Sequence, residues 1–360
     1  MARDSVHEKC ELSVVVCAHN PRSDYLSRVL NALQTQTFPR ENWELLLVDN
    51  ASDFSLSSLF NLSWHPLGRH IVEPTLGIAA ARRRGMREAA ADLIVFVDDD
   101  NVLDPNYLSV AHAVKQEWPL LGTWGSGSIA LELEQQPSKH LEVFFPYLAF
   151  RDVKRSCWSN VFPCIGATPV GAGLCVRARV AKAYCDMYEH STIQLKSREG
   201  ESLLGHEDFE ISYVACRMGL GMGLFPTLKI SHLIPRWRMT EDYLVRLFEG
   251  SRTSNMLLAQ KWQGVPISSP FTVEGILSIL VNYVARRGLD RRLYFANLRA
   301  SIKAKRLVMT ESARHLHRAM QAGRSGGAAT PIIRATASRL TKGLLTKLAR
   351  QHWTDRRRPR

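Results

Sequence analysis

Long apolar runs, zinc-type cysteine spacings and two common catalytic motifs are missing from this 360-residue sequence. No apolar run reaches the roughly 18 residues of a membrane span, so we expect no spanning helix. The seven cysteines match neither a zinc-ligand pattern nor a CxxC pair, and residues 1–11 lack the apolar core of a secretory signal. The absence of GxxxxGKS/T and GxSxG argues against a P-loop enzyme and a serine hydrolase. We therefore expect a cytoplasmic protein with reduced thiols.

Positive charge is concentrated at the C-terminal end of the chain. The formal net charge is +13, but residues 286–360 contain 20 Lys or Arg against three acids and carry +17 by themselves. The preceding 285 residues therefore carry a net charge of −4. A slightly acidic body followed by a strongly basic segment indicates chemistry in the body and adhesion through the segment.

Apolar, β-branched runs recur through the first hundred residues. Residues 12–17, 45–48 and 93–97 predict buried strands, and residues 69–72 predict a short further strand. Helical spacing of apolar residues follows the first strand, and an Ala- and Arg-rich segment at 77–91 predicts a second helix. Strands that alternate with helices predict an α/β fold with a parallel sheet.

Two later segments carry signals for the start of a helix. Asp104-Pro105 predicts a helix with Asp104 as its N-cap and Pro105 at its first position. Residues 205–208 precede a further helix, for which apolar spacing between 209 and 218 predicts one buried face. Acidic residues at such a start favour the helix dipole, so capping is one interpretation of Glu207 and Asp208.

Carboxylates follow two of the predicted strands directly. Asp49 ends the second run, and Asp98, Asp99 and Asp100 end the strongest one. Ligands of open α/β sheets bind at the carboxyl ends of the strands. Three adjacent ionised carboxylates repel one another, and a hard divalent cation such as Mn²⁺ or Mg²⁺ relieves that repulsion. We interpret the cluster as a metal site, the alternative being an exposed acidic turn.

Six segments, in this order along the chain, resemble landmarks of family 2 glycosyltransferases with the GT-A fold. They are VVVCAHNP (14–21), LLLVDNAS (45–52), GIAAARRRG (77–85), IVFVDDDN (94–101), GHEDFEISYVACRMG (205–219) and KISHLIP (229–235). The fourth is similar to the DxD motif of that family. The resemblance covers about residues 12–263 and implies a GT-A type nucleotide-binding sheet flanked by helices.

The resemblance also implies which residues bind a nucleotide-diphosphate sugar. Asn20 and Asp49 would contact the nucleotide, Arg82 would lie near the donor, and Asp98 and Asp99 would face the ribose or the cation. Arg82, Arg83 and Arg84 span nearly a full helical turn, so at most two of them can reach one ligand. Arg83 departs from the family pattern, and so does Asn101, which follows the three aspartates. These departures leave the identity of the donor sugar open.

Metal ligation and proton transfer are assigned through the same resemblance. Asp100 would be the principal metal ligand, with Asp98 and His232 beside it, and Asp208 would be the catalytic base. Glu207 is the second choice for the base, because a base must lie within hydrogen-bond reach of the acceptor hydroxyl. The expected reaction is a single displacement that inverts the anomeric carbon. A lone histidine after a strand is also a common structural residue.

Other charged or glycine-rich sites near these motifs have two interpretations. Arg236 and Arg238 flank Trp237, and they either clamp phosphates or lie in a solvated loop. Residues 171–173 (Gly-Ala-Gly) either let the backbone approach a sugar or form a turn. The sequence favours neither interpretation at either place.

We divide the chain at residue 263. Residues 1–263 would form the glycosyltransferase domain, with a nucleotide half at 1–116 and an acceptor half at 117–263, and residues 264–360 a helical basic extension. Within that extension, residues 333–348 show the spacing of a basic amphipathic helix, which suits an anionic membrane surface. A solvated tail and a helix packed on the body are the alternatives. Few aromatic residues interleave the charges, which argues against nucleic acid.

The function predicted from the sequence is metal-dependent transfer of a sugar from a nucleotide-diphosphate sugar to a glycan or lipid-linked acceptor. It would serve cell-surface polysaccharide or glycolipid biosynthesis, in the cytoplasm or at the inner face of the membrane. A sugar nucleotidyltransferase is one alternative, although residues 17–23 lack the Gly-rich, basic loop that such enzymes carry after the first strand. An inactive nucleotide- or membrane-binding scaffold is another, and the intact acids argue against it.

Overall fold

The computed structural model describes residues 10–191, 194, 203–268 and 271–325. A mixed sheet runs through its centre. The strands are β1 (Leu12–Ala18), β2 (Trp43–Asp49), β3 (Gly68–Val72), β4 (Leu93–Asp98), β5 (Asn101–Leu103), β6 (Leu121–Leu133), β7 (Arg151–Asp152), β8 (Cys157–Ser159), β9 (Cys175–Arg177) and β10 (Gly221–Ile234).

Helices occupy most of the remaining described chain. They are α1 (Ser23–Gln34), α2 (Leu56–Leu59), α3 (Ile78–Glu88), α4 (Tyr107–Glu117), α5 (Ala178–His190), α6 (Glu207–Arg217), α7 (Glu241–Gln263), α8 (Val273–Ala285) and α9 (Gly288–Ser325). Short 3-10 helices lie at Lys139–Leu148 and Arg236–Met239. Within the described residues, every helix is too short or too polar to span a bilayer.

The sheet order is β3-β2-β1-β4-β9-β6-β10-β5, with β7 on β6 and β8 on β10. Strands β3, β2, β1 and β4 are parallel, which brings the carboxyl ends of β2, β1 and β4 to one edge. Successive residues of β1 point to opposite faces, so Val14 and Val16 join one apolar cluster and Val15 and Cys17 join the other. Helices α1 and α4 cover the first face, and α3, α5 and α6 cover the second.

The α/β fold predicted from the sequence is confirmed, as is the parallel pairing of the four predicted strands β1 to β4, whereas two details of the helices are wrong. The sheet as a whole is mixed, because β9 pairs antiparallel with β4 and β6, and β5 pairs antiparallel with β10. Helix α4 begins at Tyr107, because Asp104 accepts from the backbone N–H of Asn106 and holds a turn before the helix. Helix α6 buries residues 209–216 on all sides, so it is a central helix with no solvent face along that stretch.

The described residues up to Lys305 belong to one compact unit, and α9 continues from Arg306 into a second. Helices α8 and α9 lie within the extension that was predicted to be helical, whereas residues 333–348 lie outside the described residues. All seven cysteines are free. The division of the chain at residue 263 stays a prediction.

Gly127 in β6 offers a test of how tightly this sheet packs. A Cβ at this position would lie 2.6 Å from the carbonyl carbon of Phe225 and 2.7 Å from the nitrogen of Pro226, both backbone atoms. Because backbone cannot rotate away as a side chain can, we expect Gly127→Ala to lower the free energy of unfolding by about 1–3 kcal/mol. Urea denaturation measures the change.

The matched control is Gly166→Ala, since nothing lies within 4 Å of a Cβ at Gly166. Removing one glycine from the unfolded chain stabilises a protein by up to about 1 kcal/mol, so this variant should be neutral or slightly more stable. Equal stability of the two variants would contradict the close approach of β6 and β10.

Candidate functional site

A cavity of about 660 Å³ opens at the carboxyl ends of β1 and β4. The start of α3, the start of α6, strand β10 and the loops around residues 147–151 and 170–172 complete its wall. Most of the charged residues predicted from the sequence meet in this one cavity. Its acidic, basic and histidine lining comprises His19, Arg82, Asp98, Asp99, Asp100, Arg151, His206, Glu207, Asp208, His232, Arg238 and Arg252.

Arg82 joins the two sides of the cavity by ion pairs. Its guanidinium is buried and donates to Asp98 Oδ1 at 2.8 Å and to Glu207 Oε1 at 2.7 Å. Burial disfavours a charge there, but the two carboxylates outweigh it and raise the pKa of Arg82 above its ordinary value. The end of β4 and the first residue of α6 are therefore tied to one side chain.

The neighbouring arginines of α3 point elsewhere, as the helical spacing requires. The guanidinium of Arg83 lies 3.6 Å from the ring centre of Tyr188, and Arg84 pairs with Glu88 at 2.9 Å. Only Arg82 of these three arginines lines the cavity. This matches the expectation that three consecutive arginines cannot all reach one ligand.

Asp100 and His232 meet across the pairing of β5 with β10. Asn101 is the register partner of His232, and the N–H of Leu233 donates to the carbonyl of Asp100 at 2.8 Å. His232 Nε2 lies 3.3 Å from Asp100 Oδ2, and Arg238 donates to the same oxygen at 2.9 Å. The amide of Asn101 donates to Asp100 Oδ1 at 2.9 Å.

The protonation pattern of His232 suits a cation ligand. Nδ1 lies 2.9 Å from the carbonyl oxygen of Leu148, which can only accept, so Nδ1 carries the hydrogen. In the neutral ring, Nε2 then presents a lone pair towards Asp100. The Arg238 guanidinium on the same Asp100 oxygen supplies positive charge beside this contact. A second ring nitrogen fixed on a backbone carbonyl is the usual arrangement around a metal-bound histidine.

Asp99 lies in the same cluster of carboxylates. Burial raises its pKa to about 8, and the negative charges of Asp100 and Asp98 add to the effect. The oxygen and imidazole donors of Asp98, Asp100 and His232 fit Mn²⁺ or Mg²⁺. Within the part of the chain that the structure describes, no group of three or more His, Cys, Asp or Glu is arranged to hold a metal ion. A cation here would need ligands from a bound molecule, as Mg²⁺ commonly takes from phosphates.

Asp208 and Glu207 differ in their surroundings although they are adjacent. Asp208 is half-buried, and it accepts from the backbone N–H of Gly171 at 2.6 Å and of Phe209 at 2.8 Å. Glu207 is buried with one oxygen on Arg82, and burial raises its pKa to about 7. The preceding His206 has φ 73°, a left-handed conformation that is rare for a side chain of this size.

The segment at residues 171–173 brings backbone close to the charged centre. Besides its N–H bond to Asp208, Gly171 lies so near Arg82 that a Cβ would be 2.3 Å from a guanidinium nitrogen. The glycine is therefore required by the ion pairs of Arg82. The N–H of Leu174 also donates to the carbonyl of Gly171 at 3.3 Å, so the segment forms a turn, and its approach to a sugar stays a prediction.

The two residues predicted to contact a nucleotide lie beside the cavity and already hold backbone. Asp49 is buried and accepts from the N–H groups of Ser52 and Leu56. The side-chain amide of Asn20 donates to the carboxylate of Asp53 and accepts from its backbone N–H. The adjacent residues His19 and Asn50 line the cavity, whereas Asn20 and Asp49 do not. Contact of Asn20 and Asp49 with a nucleotide stays a prediction.

Some cavity residues were not identified from the sequence as site residues. Arg238 contacts Asp100. From the sequence, a phosphate clamp and a solvated loop were both open interpretations of this residue. Arg151 lines the cavity, and burial lowers its pKa. No local signal marks either residue, because each reaches the cavity through pairing of distant strands.

Residues 13–167 match the family model described as Glycosyl transferase family 2. These residues are therefore similar to family 2 glycosyltransferases. The match includes the first four of the six segments on which the sequence resemblance was based. The predicted resemblance to this family is confirmed over residues 13–167.

A search of curated proteins gives one relative and a search of solved structures gives distant ones. Glycosyltransferase AglE of Haloferax volcanii is 28% identical over 92 residues, which are 25% of this chain and 30% of the relative. The crystal structure of S. aureus TarS 1-349 has a TM-score of 0.45 at 16% identity and covers 85% of this chain and 91% of that one. GalNAc-T7, solved with UDP, GalNAc and Mn2+, has a TM-score of 0.47 at 17% identity, with 71% and 52% covered.

Replacement of Arg82 tests whether its two ion pairs hold the domain together. In Arg82→Lys a single ammonium replaces the planar fork, so one buried carboxylate loses its partner. We expect the free energy of unfolding to fall by about 1–3 kcal/mol. The loss should grow as pH rises through about 7, because Glu207 ionises there in the native protein and stays paired with Arg82.

Arg84→Lys is the matched control on the same helix. Its ion pair with Glu88 is largely exposed, so the change should stay within about 0.5 kcal/mol at every pH. Urea unfolding at several pH values measures both variants. A pH-independent loss in Arg82→Lys, or an equal loss in the control, would contradict the assigned role of Arg82.

Proposed function

We propose that this protein transfers a sugar from a nucleotide-diphosphate sugar to a hydroxyl group of a glycan or lipid-linked acceptor. The observation that carries the proposal is the meeting of two kinds of acid in one cavity. Asp98, Asp100 and Asp208 all line this cavity, and His232, which also lines it, lies 3.3 Å from Asp100. Such an arrangement suits a metal-assisted displacement with a separate base.

The cation site is assigned to Asp98, Asp100 and His232. A bound Mn²⁺ or Mg²⁺ would stabilise the negative charge of the departing diphosphate. Asn101 orients Asp100 from one side and Leu148 orients His232 from the other, so both side chains keep their positions without a ligand. Arg238 supplies a further positive charge at Asp100. The fold therefore gathers cationic groups where diphosphate charge would develop.

Asp208 is assigned as the base that accepts the proton of the acceptor hydroxyl. Two backbone N–H groups fix its carboxylate in the cavity, which orients the group without a charged partner. Glu207 is the weaker candidate, because its carboxylate is buried and one oxygen is held by Arg82. A direct attack of the activated hydroxyl inverts the anomeric carbon and needs no covalent sugar intermediate.

The acceptor and the cellular place of the reaction belong to the same proposal. We assign the enzyme to cell-surface polysaccharide or glycolipid synthesis at the cytoplasmic side of a membrane. The support is the charge of +17 on residues 286–360, which favours an anionic lipid surface. A lipid-linked acceptor would be presented at that surface.

Turnover with a donor panel is the first test. Purified protein is incubated with UDP-, GDP- and dTDP-sugars in the presence of Mn²⁺, Mg²⁺ or EDTA, and release of the nucleoside diphosphate is measured. We expect release from one donor class only, abolished by EDTA. Asp100→Asn should lower the rate by at least about 100-fold, because the cation supplies several kcal/mol of charge stabilisation.

The control for that experiment is Asp152→Asn. Asp152 is exposed and pairs with Lys154, so this variant should release the nucleoside diphosphate at the native rate. Where transfer to an acceptor is detected, NMR of the product should show inversion at the anomeric carbon. Retention would contradict the single displacement. Absence of both turnover and metal-dependent nucleotide binding would contradict the glycosyltransferase assignment and favour an inactive scaffold.

The base is tested by two isosteric variants of adjacent residues. Asp208→Asn keeps an oxygen for the Gly171 N–H but cannot take a proton, so kcat should fall by about 10²- to 10⁴-fold. Glu207→Gln should lose less of kcat and should instead lower thermal stability, because it removes the charge that Arg82 binds. Kinetics and thermal melts of both variants give the comparison.

Donor binding separates the two outcomes further. Titration with the nucleoside diphosphate should give similar affinity for Asp208→Asn and for the native protein. If Glu207→Gln instead shows the larger loss of kcat at normal stability, the base is Glu207 and the present assignment is wrong.

A further inference from the structure

Helix α8 presents an aliphatic stripe to solvent. Its members recur at helical spacing, so they lie on one side of the helix. The exposed fractions are 49% for Ile276, 58% for Leu277, 59% for Leu280, 64% for Val281 and 78% for Val284. Phe271, just before the helix, is 67% exposed. A stripe of this kind on a folded protein marks an interaction surface.

The opposite side of α8 is held by α9. The hydroxyl oxygens of Tyr294 in α9 and Ser278 in α8 are 3.4 Å apart. The guanidinium carbon of Arg286 lies 5.2 Å from the centre of the Tyr294 ring. The rings of Tyr283 and Phe295 are 6.2 Å apart. These contacts fix which side of α8 faces inward, so the aliphatic stripe is the outward side.

Helix α9 is in turn fixed to the wall of the cavity. Asn297 accepts from Arg252 at 2.9 Å, and Arg299 pairs with Glu249 at 2.7 Å, both partners being on α7. Arg252 itself lines the cavity. The aliphatic stripe therefore belongs to the same compact unit as the candidate active site.

Positive charge adjoins the C-terminal end of the stripe. Arg287, which follows α8, is exposed, whereas Arg286 beside it pairs with Asp290 at 2.6 Å. Arg291 lies over the ring of Tyr283, and Glu274 is the one acid within the helix. The thirteen residues of α8 extend about 20 Å, which is less than the roughly 30 Å core of a bilayer. An aliphatic stripe beside basic residues suits a helix that lies in the plane of an anionic membrane surface.

We propose that α8 is an interfacial membrane helix, whose aliphatic stripe inserts between anionic lipids while the exposed Arg287 contacts their headgroups. Charge decides between this occupant and two others. Both a second copy of the chain, with its net charge of +13, and the segment after α9 are basic, so like charges would repel in both cases. Anionic lipid complements both the aliphatic stripe and the basic charge of the chain.

Vesicle co-sedimentation of the full chain tests the proposal. Vesicles of phosphatidylcholine alone are compared with vesicles that also contain phosphatidylglycerol. The variant carries Leu277→Ser and Leu280→Ser, which remove aliphatic surface without adding charge. We expect it to bind the anionic vesicles at least about tenfold more weakly than the native chain, because two inserted leucine side chains are lost.

The matched control carries Leu59→Ser and Leu120→Ser, two leucines of similar exposure elsewhere on the surface. It should bind vesicles like the native chain. Arg287→Glu should weaken binding to the anionic vesicles and leave the little binding to neutral ones unchanged. Normal melting temperatures and normal donor turnover in solution would show that the α8 variant is folded and that its defect is separate from catalysis.

Three results would overturn the proposal. One is equal vesicle binding by the α8 variant and the native chain, which would leave the rest of the basic segment as the membrane contact. Another is binding that does not depend on anionic lipid. The third is a native dimer that the α8 variant converts to a monomer in analytical ultracentrifugation while vesicle binding is unchanged, which would assign the stripe to a second copy.

Discussion

The two ion pairs of Arg82 are the interaction on which the geometry of the cavity depends. Asp98 ends β4 and Glu207 begins α6, and these elements are more than one hundred residues apart in the sequence. A buried guanidinium can satisfy both carboxylates at once because its donors form a planar fork. Gly171 packs against that guanidinium and also donates to Asp208, so the position of the proposed base follows from the same contact.

The proposed cation site depends on a second long-range feature, the antiparallel pairing of β5 with β10. That pairing places His232 opposite Asn101 and brings its ring to Asp100. The hydrogen bond of Nδ1 to the Leu148 carbonyl then sets the tautomer. Two carboxylates and one imidazole leave a divalent cation incompletely coordinated, which is the condition under which a diphosphate adds the missing ligands.

Sequence predicted the parts of this fold that local pattern determines. The apolar runs of β1, β2 and β4 and the acids after them were located correctly, because a buried parallel strand and its polar end are both short-range signals. The antiparallel strand β9 was missed, since three residues carry too little pattern to identify. The start of α4 was placed too early, because Asp104 holds a preceding turn through Asn106.

The same division separates the site residues. Asp98, Asp100, Asp208 and His232 were named through ordered motifs, and the structure brings all four to one cavity. The contact of Arg238 with Asp100 could not be predicted, because it follows from where β10 ends in three dimensions. Asp49 was chosen for its position at the end of β2. Its hydrogen bonds from the N–H groups of Ser52 and Leu56 could not be predicted from the sequence.

The central claim is that Asp100 and His232 bind a divalent cation whose remaining ligands come from a nucleoside diphosphate. Electron paramagnetic resonance of Mn²⁺ with the purified protein tests it most directly, because free Mn²⁺ gives a sharp signal that is lost on binding. We predict one bound Mn²⁺ per chain in the presence of UDP, GDP or dTDP, much weaker binding without a nucleotide, and loss of both in His232→Ala. An undiminished free Mn²⁺ signal with every nucleotide, or unchanged binding in His232→Ala, would contradict the account.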